Sequence, residues 1–202
     1  MTDWIIQTIT ELGYVGIFLV MLAESLFPPI PSELIIPFAG FAAANGDLNF
    51  FGVLAAATIG AVTGMLPWYF AGRIFGLARV RFLADRFGRF MAMNADEIDI
   101  AVSWFKRYGP VIVLFGRLVP LIRTLISIPA GLSRMPLPIF LAASTSGALI
   151  WNIFLTSAGY ILHEHYHVIE VVLDPLSYVV LALVVLIYLF RVVTWKPART
   201  SQ

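Results

Sequence analysis

The chain has 202 residues, 60% hydrophobic and only 12% charged, with a mean hydropathy of +0.90, which excludes an ordinary soluble domain and marks an integral membrane protein. A formal net charge of +1 says little by itself, nothing in the sequence resembles a nucleic-acid surface, and the absence of cysteine excludes disulfides and thiolate metal sites. Apolar runs of about 20 residues, enough to cross about 30 Å of hydrocarbon as helix, recur along the chain, so residues 1–202 read as one compact helical membrane domain.

Met1 to Gln7 carries no basic n-region and leads to no small-residue cleavage site, so it does not read as the head of a signal peptide. Residues 1–72 contain Asp3, Glu11, Glu24, Glu33 and Asp47 but no Lys or Arg. From Arg73 to Arg107 come seven bases, Arg73, Arg79, Arg81, Arg86, Arg89, Lys106 and Arg107. The cytoplasmic bias of Lys and Arg therefore puts residues 77–108 in the cytoplasm and the N-terminal portion outside.

The first apolar stretch, Leu12 to Phe27, runs into Pro28, Pro29, Pro31 and Pro37. Proline pushes the preceding residue out of helical backbone, so the chain should turn near Pro28 to Pro31 and return to the side it came from, a re-entrant hairpin. Phe50 to Phe75 then crosses inward, with Gly60, Gly64 and Gly72 at close-packing spacing. Leu77 to Tyr108 is expected as a basic, partly interfacial helical segment.

Next comes FGRLVPLIRTLISIPAG, Phe115 to Gly131, where Arg117 and Arg123 sit in an apolar run broken by Pro120 and Pro129. An arginine in hydrocarbon costs about 2.5–3.5 kcal/mol on insertion scales, so both should face a protein interior, a watery cavity or an anionic partner. Val111 to Leu132 reads as a second re-entrant hairpin, entering from inside, and Leu137 to Leu162 as an outward crossing. His163 to Asp174 is acidic and expected outside. A span at 176–193 returns to a cytoplasmic tail carrying Lys196 and Arg199.

Residues 55–73 align without gaps on 142–160 with seven identities, and IPFAG at 36–40 has a counterpart in IPAG at 128–131. The expected architecture is thus all-α: repeat 1 over about 1–76, repeat 2 over about 109–162, oppositely oriented, with the basic segment 77–108 between them. Inverted repeats of broken helices meeting at the midplane are a secondary-transporter design. Overlaying the hairpins at Gly40 and Gly131 places Glu24 near Arg117 and Glu33 near Arg123. The four form either structural ion pairs or a working site, in which Glu24 or Glu33 exchanges a proton and the arginine forks hold an anionic head group.

AESLFPPIPSELIIPFAG (Ala23 to Gly40), YFAGRIFG (Tyr69 to Gly76), FGRLVPLIRTLISIPAG and the AGY that ends at Tyr160 resemble the DedA family of SNARE-associated, VTT-domain membrane proteins, over roughly residues 12–190. The resemblance implies two re-entrant hairpins and translocation of a lipid phosphate, such as undecaprenyl phosphate or a phospholipid, across the bacterial inner membrane, with proton coupling and a role in envelope homeostasis. It carries membrane-embedded acids onto Glu24 and Glu33 and the essential basic pair onto Arg117 and Arg123. Pro28, Pro29, Pro31, Pro120, Pro129 and Gly131 would break the hairpins. One departure stands out: where many members have Gly-Asp, this chain has Gly64-Met65.

HEHYH at 163–167 aligns only His163 with His167 on a helix and reads as a solvated loop rather than a metal site. Asn152 is a mid-span polar residue suited to an interhelical hydrogen bond, and the tryptophans read as interface anchors or packing. No cofactor, metal or catalytic group is expected, and homo-oligomerisation is left open. The alternatives are proton-coupled transport of a small solute or drug, a membrane-embedded lipid-phosphate hydrolase, and a structural assembly factor.

Overall fold

The computed structural model describes residues 9, 11–26, 32–91, 95–119, 122–161 and 190, and of residues 32–34, 81, 83–91 and 95–97 the backbone alone. The proline run at 28–31, Pro120, the HEHYH loop and, apart from Phe190, the span expected at 176–193 lie outside the described residues. The described elements are all helical: α1 (Tyr14–Leu26), α2 (Ser32–Ala44), α3 (Phe50–Met91), α4 (Ala95–Gly116), α5 (Ser127–Leu132) and α6 (Leu137–Ile161).

Asn49 fixes the start of α3. Its Oδ1 accepts from the backbone N–H groups of Phe51 at 2.9 Å and Gly52 at 3.3 Å, meeting donors that a first helical turn leaves free. Its own N–H donates to the Tyr14 hydroxyl at 2.7 Å, which ties this cap to α1. Two stretches, Phe50–Val80 and Leu137–Ile161, are long and apolar enough to cross a membrane. Along α3 the residues Phe51, Ala55, Ile59, Thr63, Pro67, Phe70 and Ile74 are all exposed and recur every three or four positions, forming one apolar face. The hydroxyl on that face, from Thr63, donates to the Ile59 carbonyl at 2.7 Å, so it needs no water. Such a face suits lipid and would be a liability in water.

The basic segment is bracketed by two backbone departures. Gly76 takes φ = 69°, left-handed backbone that glycine adopts without strain. Tyr108 departs from helical geometry inside α4, at φ −126° and ψ 15°, just before Gly109 and Pro110.

The helices cross-pack in matched pairs. α1 lies on α3 and the end of α4 on α6, while α2 packs on α6 and α5 packs on α3. Glycine permits each approach. A Cβ at Gly40 would strike the Thr156 carbonyl and one at Gly159 the Pro37 carbonyl; correspondingly, Gly131 abuts the Tyr69 carbonyl and Gly72 the Ile128 carbonyl. These contacts are counterparts under the same two overlays that align 55–73 with 142–160 and Gly40 with Gly131.

The contacts of α1 and of the end of α4 follow a different register. Gly60 meets the Phe18 carbonyl and Met21 Cβ, whereas its counterpart Gly147 meets the Leu114 carbonyl and Arg117 Cβ. Met21, not Glu24, therefore stands where Arg117 stands in the other half. The hairpin overlay fails there because the connection from Met21 to Gly40 is longer than that from Arg117 to Gly131, and a gapless alignment cannot absorb the difference. With the register corrected, Met21, Ile36 and Ala57 form part of an apolar core in one half. Arg117, Ser127 and Ser144, all buried, occupy the same positions in the other.

Candidate functional site

The site forms where α4 ends. After Gly116 the chain winds through short turns, with the N–H of Leu118 donating to the Phe115 carbonyl at 3.0 Å and that of Arg123 to the Val119 carbonyl at 3.0 Å. Arg117 and Arg123 stand at opposite ends of this turn, and Arg117 Nη1 donates to the Arg123 carbonyl, closing it. Pro129 lies in the first turn of α5, where a missing N–H removes no helical bond. Gly131, inside the same helix, serves close packing on α3.

The two arginines have different surroundings. Arg123 Nη2 pairs with Glu24 Oε1 across to α1, with Glu24 buried. Arg117 Nη2 lies 2.8 Å from Ser127 Oγ, 3.4 Å from Ser144 Oγ and 2.8 Å from the Met65 sulfur. Its guanidinium carbon sits 5.8 Å from the centroid of the Phe140 ring, which stacks on Tyr69 at 4.5 Å. Among the described residues no carboxylate pairs with Arg117, and its Nε is buried without a hydrogen-bond partner. A backbone carbonyl, two hydroxyls, a thioether and an aromatic face surround the cation without neutralising it, so its charge remains available to an incoming anion.

Both arginines and Glu24 line one cavity with Met65, Trp151 and Asn152. It offers about 20 Å³ to water centres, room for about one water molecule. Of the four charged residues expected together, the structure thus gathers Glu24, Arg117 and Arg123. Glu33 lies in the first turn of α2, and its side chain is outside the described residues. Asn152 Nδ2 donates to Thr58 Oγ1 at 3.1 Å, the interhelical bond expected of it. Trp151, expected as an anchor or as packing, packs against the apolar core and also forms part of the cavity wall.

The chain's relatives bear on what this site belongs to. The family model described as VTT domain matches residues 30–161. The chain belongs to the VTT-domain family. This is the DedA membership that its motifs resemble, and relatives from bacteria extend over nearly its whole length. A Lactococcus lactis subsp. cremoris protein named alkaline phosphatase-like protein is 40% identical over 98% of this chain and 94% of its own. The undecaprenyl phosphate transporter A of Staphylococcus aureus is 32% identical over 95% of this chain and 96% of its own. That of Bacillus subtilis is 29% identical over 96% of this chain and 94% of its own. No solved structure matches the chain.

Within this VTT-domain protein, the Met65 departure acquires a physical meaning. A side chain at position 65 reaches Arg117 directly, so an acid there would neutralise the cation, and methionine does not. Ser127 and Ser144 escaped the sequence reading because each joins Arg117 only through folding; an unexplained serine in the apolar LISIPAG run was the available signal. Tyr69 and Arg73 form a second polar contact outside the cavity: Arg73 Nη1 donates to the Tyr69 hydroxyl at 2.6 Å, and that hydroxyl donates to the Met135 carbonyl.

Proposed function

We propose that this VTT-domain protein translocates a lipid phosphate across the bacterial inner membrane, with undecaprenyl phosphate or a phospholipid as substrate and a proton as coupling ion. The observation that carries this reading is Arg117: a buried cation without a carboxylate partner among the described residues, on a cavity it shares with an acid–base pair. The two relatives named undecaprenyl phosphate transporter A support the choice of substrate.

In the proposed architecture, α1 and α2 form the arms of one re-entrant hairpin, and the end of α4 with α5 forms those of the other. α3 and α6 are the crossings, and the halves are inverted, with 77–108 and the C-terminus cytoplasmic. The matched glycine contacts support a two-fold relation between the halves. As it stands the cavity is too small for a phosphate, so the head group enters as the hairpins part. Its oxygens then compete with Glu24 for Arg123, and the released carboxylate takes up a proton. Binding and protonation favour each other, as linkage requires. Glu33 is a second proton-coupling candidate.

The name of the Lactococcus relative keeps a lipid-phosphate hydrolase as the second reading. Vesicles containing only this protein and a lipid monophosphate separate the two. Translocation predicts that lipid in one leaflet becomes accessible in the other without release of inorganic phosphate; hydrolysis predicts release with no need for movement. Substitution of Glu24 by Gln should remove the dependence of the rate on a proton gradient, and an unchanged dependence would exclude Glu24 as the carrier.

A further inference from the structure

We infer that Trp151 is a further head-group-binding residue, its indole N–H donating to a terminal phosphate oxygen beside Arg117. This rests on the lipid-phosphate reading and adds a neutral donor to a site otherwise described by its charges.

Trp151 and Arg117 line the same cavity, and the Trp151 Nε1 and Arg117 Nε atoms are both buried with no hydrogen-bond partner. Several other polar groups around them are engaged. Asn152 Nδ2 is held by Thr58, Arg123 by Glu24, and the Ser127 and Ser144 oxygens already accept from Arg117. An indole nitrogen can only donate, as can a guanidinium. A buried donor left unmet is unfavourable, and such groups in folded proteins call for an explanation.

Trp68 shows the alternative within this same chain. Its Nε1 donates to the Ser25 carbonyl at 3.0 Å, bracing α3 on α1. Trp151 has no such structural duty for its N–H. Two residues of one cavity wall, each with an unmet donor among the described residues, match a ligand that presents several acceptors and no donor. A fully ionised phosphate monoester has three terminal oxygens and no O–H, enough to engage both nitrogens at once. A lipid alcohol offers a single hydroxyl, whose own O–H needs an acceptor that neither nitrogen supplies.

The test uses the full chain purified in detergent micelles and titrated with a prenyl monophosphate, with the parent prenyl alcohol as comparison. Trp151→Phe removes the N–H and keeps an aromatic ring. It should weaken monophosphate binding about tenfold, the scale of one hydrogen bond to a charged acceptor, and leave the ligand-free thermal midpoint unchanged or raised. Trp68→Phe, which strips the Ser25 carbonyl of its donor, should instead lower that midpoint. Trp151→Leu provides a second variant without the N–H. Unchanged binding in a folded Trp151 variant would overturn this inference alone. Failure of the wild type to bind the monophosphate would overturn the lipid-phosphate reading as well. Failure of both Trp151 variants to fold would overturn the premise that the N–H is structurally idle.

Discussion

Glu24→Gln removes the acid from a pair whose side chains are 5% and 12% exposed, leaving the part-buried Arg123 guanidinium beside a neutral amide. Breaking a largely buried ion pair by neutralising one partner costs about 3–5 kcal/mol, because the surviving charge stays desolvated without its opposite charge. For a chain of this length each kcal/mol moves a thermal midpoint by about 2–4 °C, so the variant should melt about 6–20 °C below wild type. Arg123→Gln should do the same in mirror image. Combining the two removes both charges, and most of the lost stability should return, although transport should not. Thermal unfolding of the four proteins in one detergent, followed by near-ultraviolet circular dichroism, gives the complete cycle. Single variants within about 2 °C of wild type would contradict a desolvated pair. A double variant as unstable as the sum of the singles would show that Glu24 and Arg123 do not depend on each other.

Other consequences follow from the backbone contacts and the charge pattern. Gly131→Ala drives a Cβ into the Tyr69 carbonyl and should cost about 1–3 kcal/mol of stability, read as a lower midpoint in the same assay. Arg134 holds φ = 57° immediately after α5; Arg134→Gly should relieve about 1 kcal/mol of left-handed strain and raise the midpoint. In this cysteine-free chain, Phe90→Cys in intact cells should resist an impermeant thiol reagent while Tyr166→Cys reacts. The reverse pattern would invert the topology.

The sequence announced the membrane class through composition and the long apolar runs, and Phe50–Val80 and Leu137–Ile161 follow that pattern. The small residues that the proposed repeat aligns include Gly60, Gly72, Gly147 and Gly159, which are contact points where backbone approach forbids a side chain. The charges were readable because hydrocarbon tolerates few of them, and Glu24 does meet an arginine. Which arginine it meets was not readable. The length of the connection decides that: extra residues between Met21 and Gly40 shift the register of α1 against α2. Nor did the sequence separate Arg117 from Arg123, since their difference lies in Met65, Ser127 and Ser144, neighbours that only folding supplies. Trp151 illustrates the same limit: its type suits packing, a membrane interface or a ligand equally, and only a buried, unmet N–H on a cavity distinguishes them.

The most direct measurement is movement of a lipid monophosphate between the leaflets of vesicles whose only protein is this chain, compared with vesicles bearing equal amounts of folded Arg117→Lys or Arg123→Lys. Lysine keeps the charge and loses the two-pronged donor geometry. The account predicts movement with wild type and loss of most of it with either lysine variant. Wild-type rates in both variants, or no movement by the wild type, would contradict it.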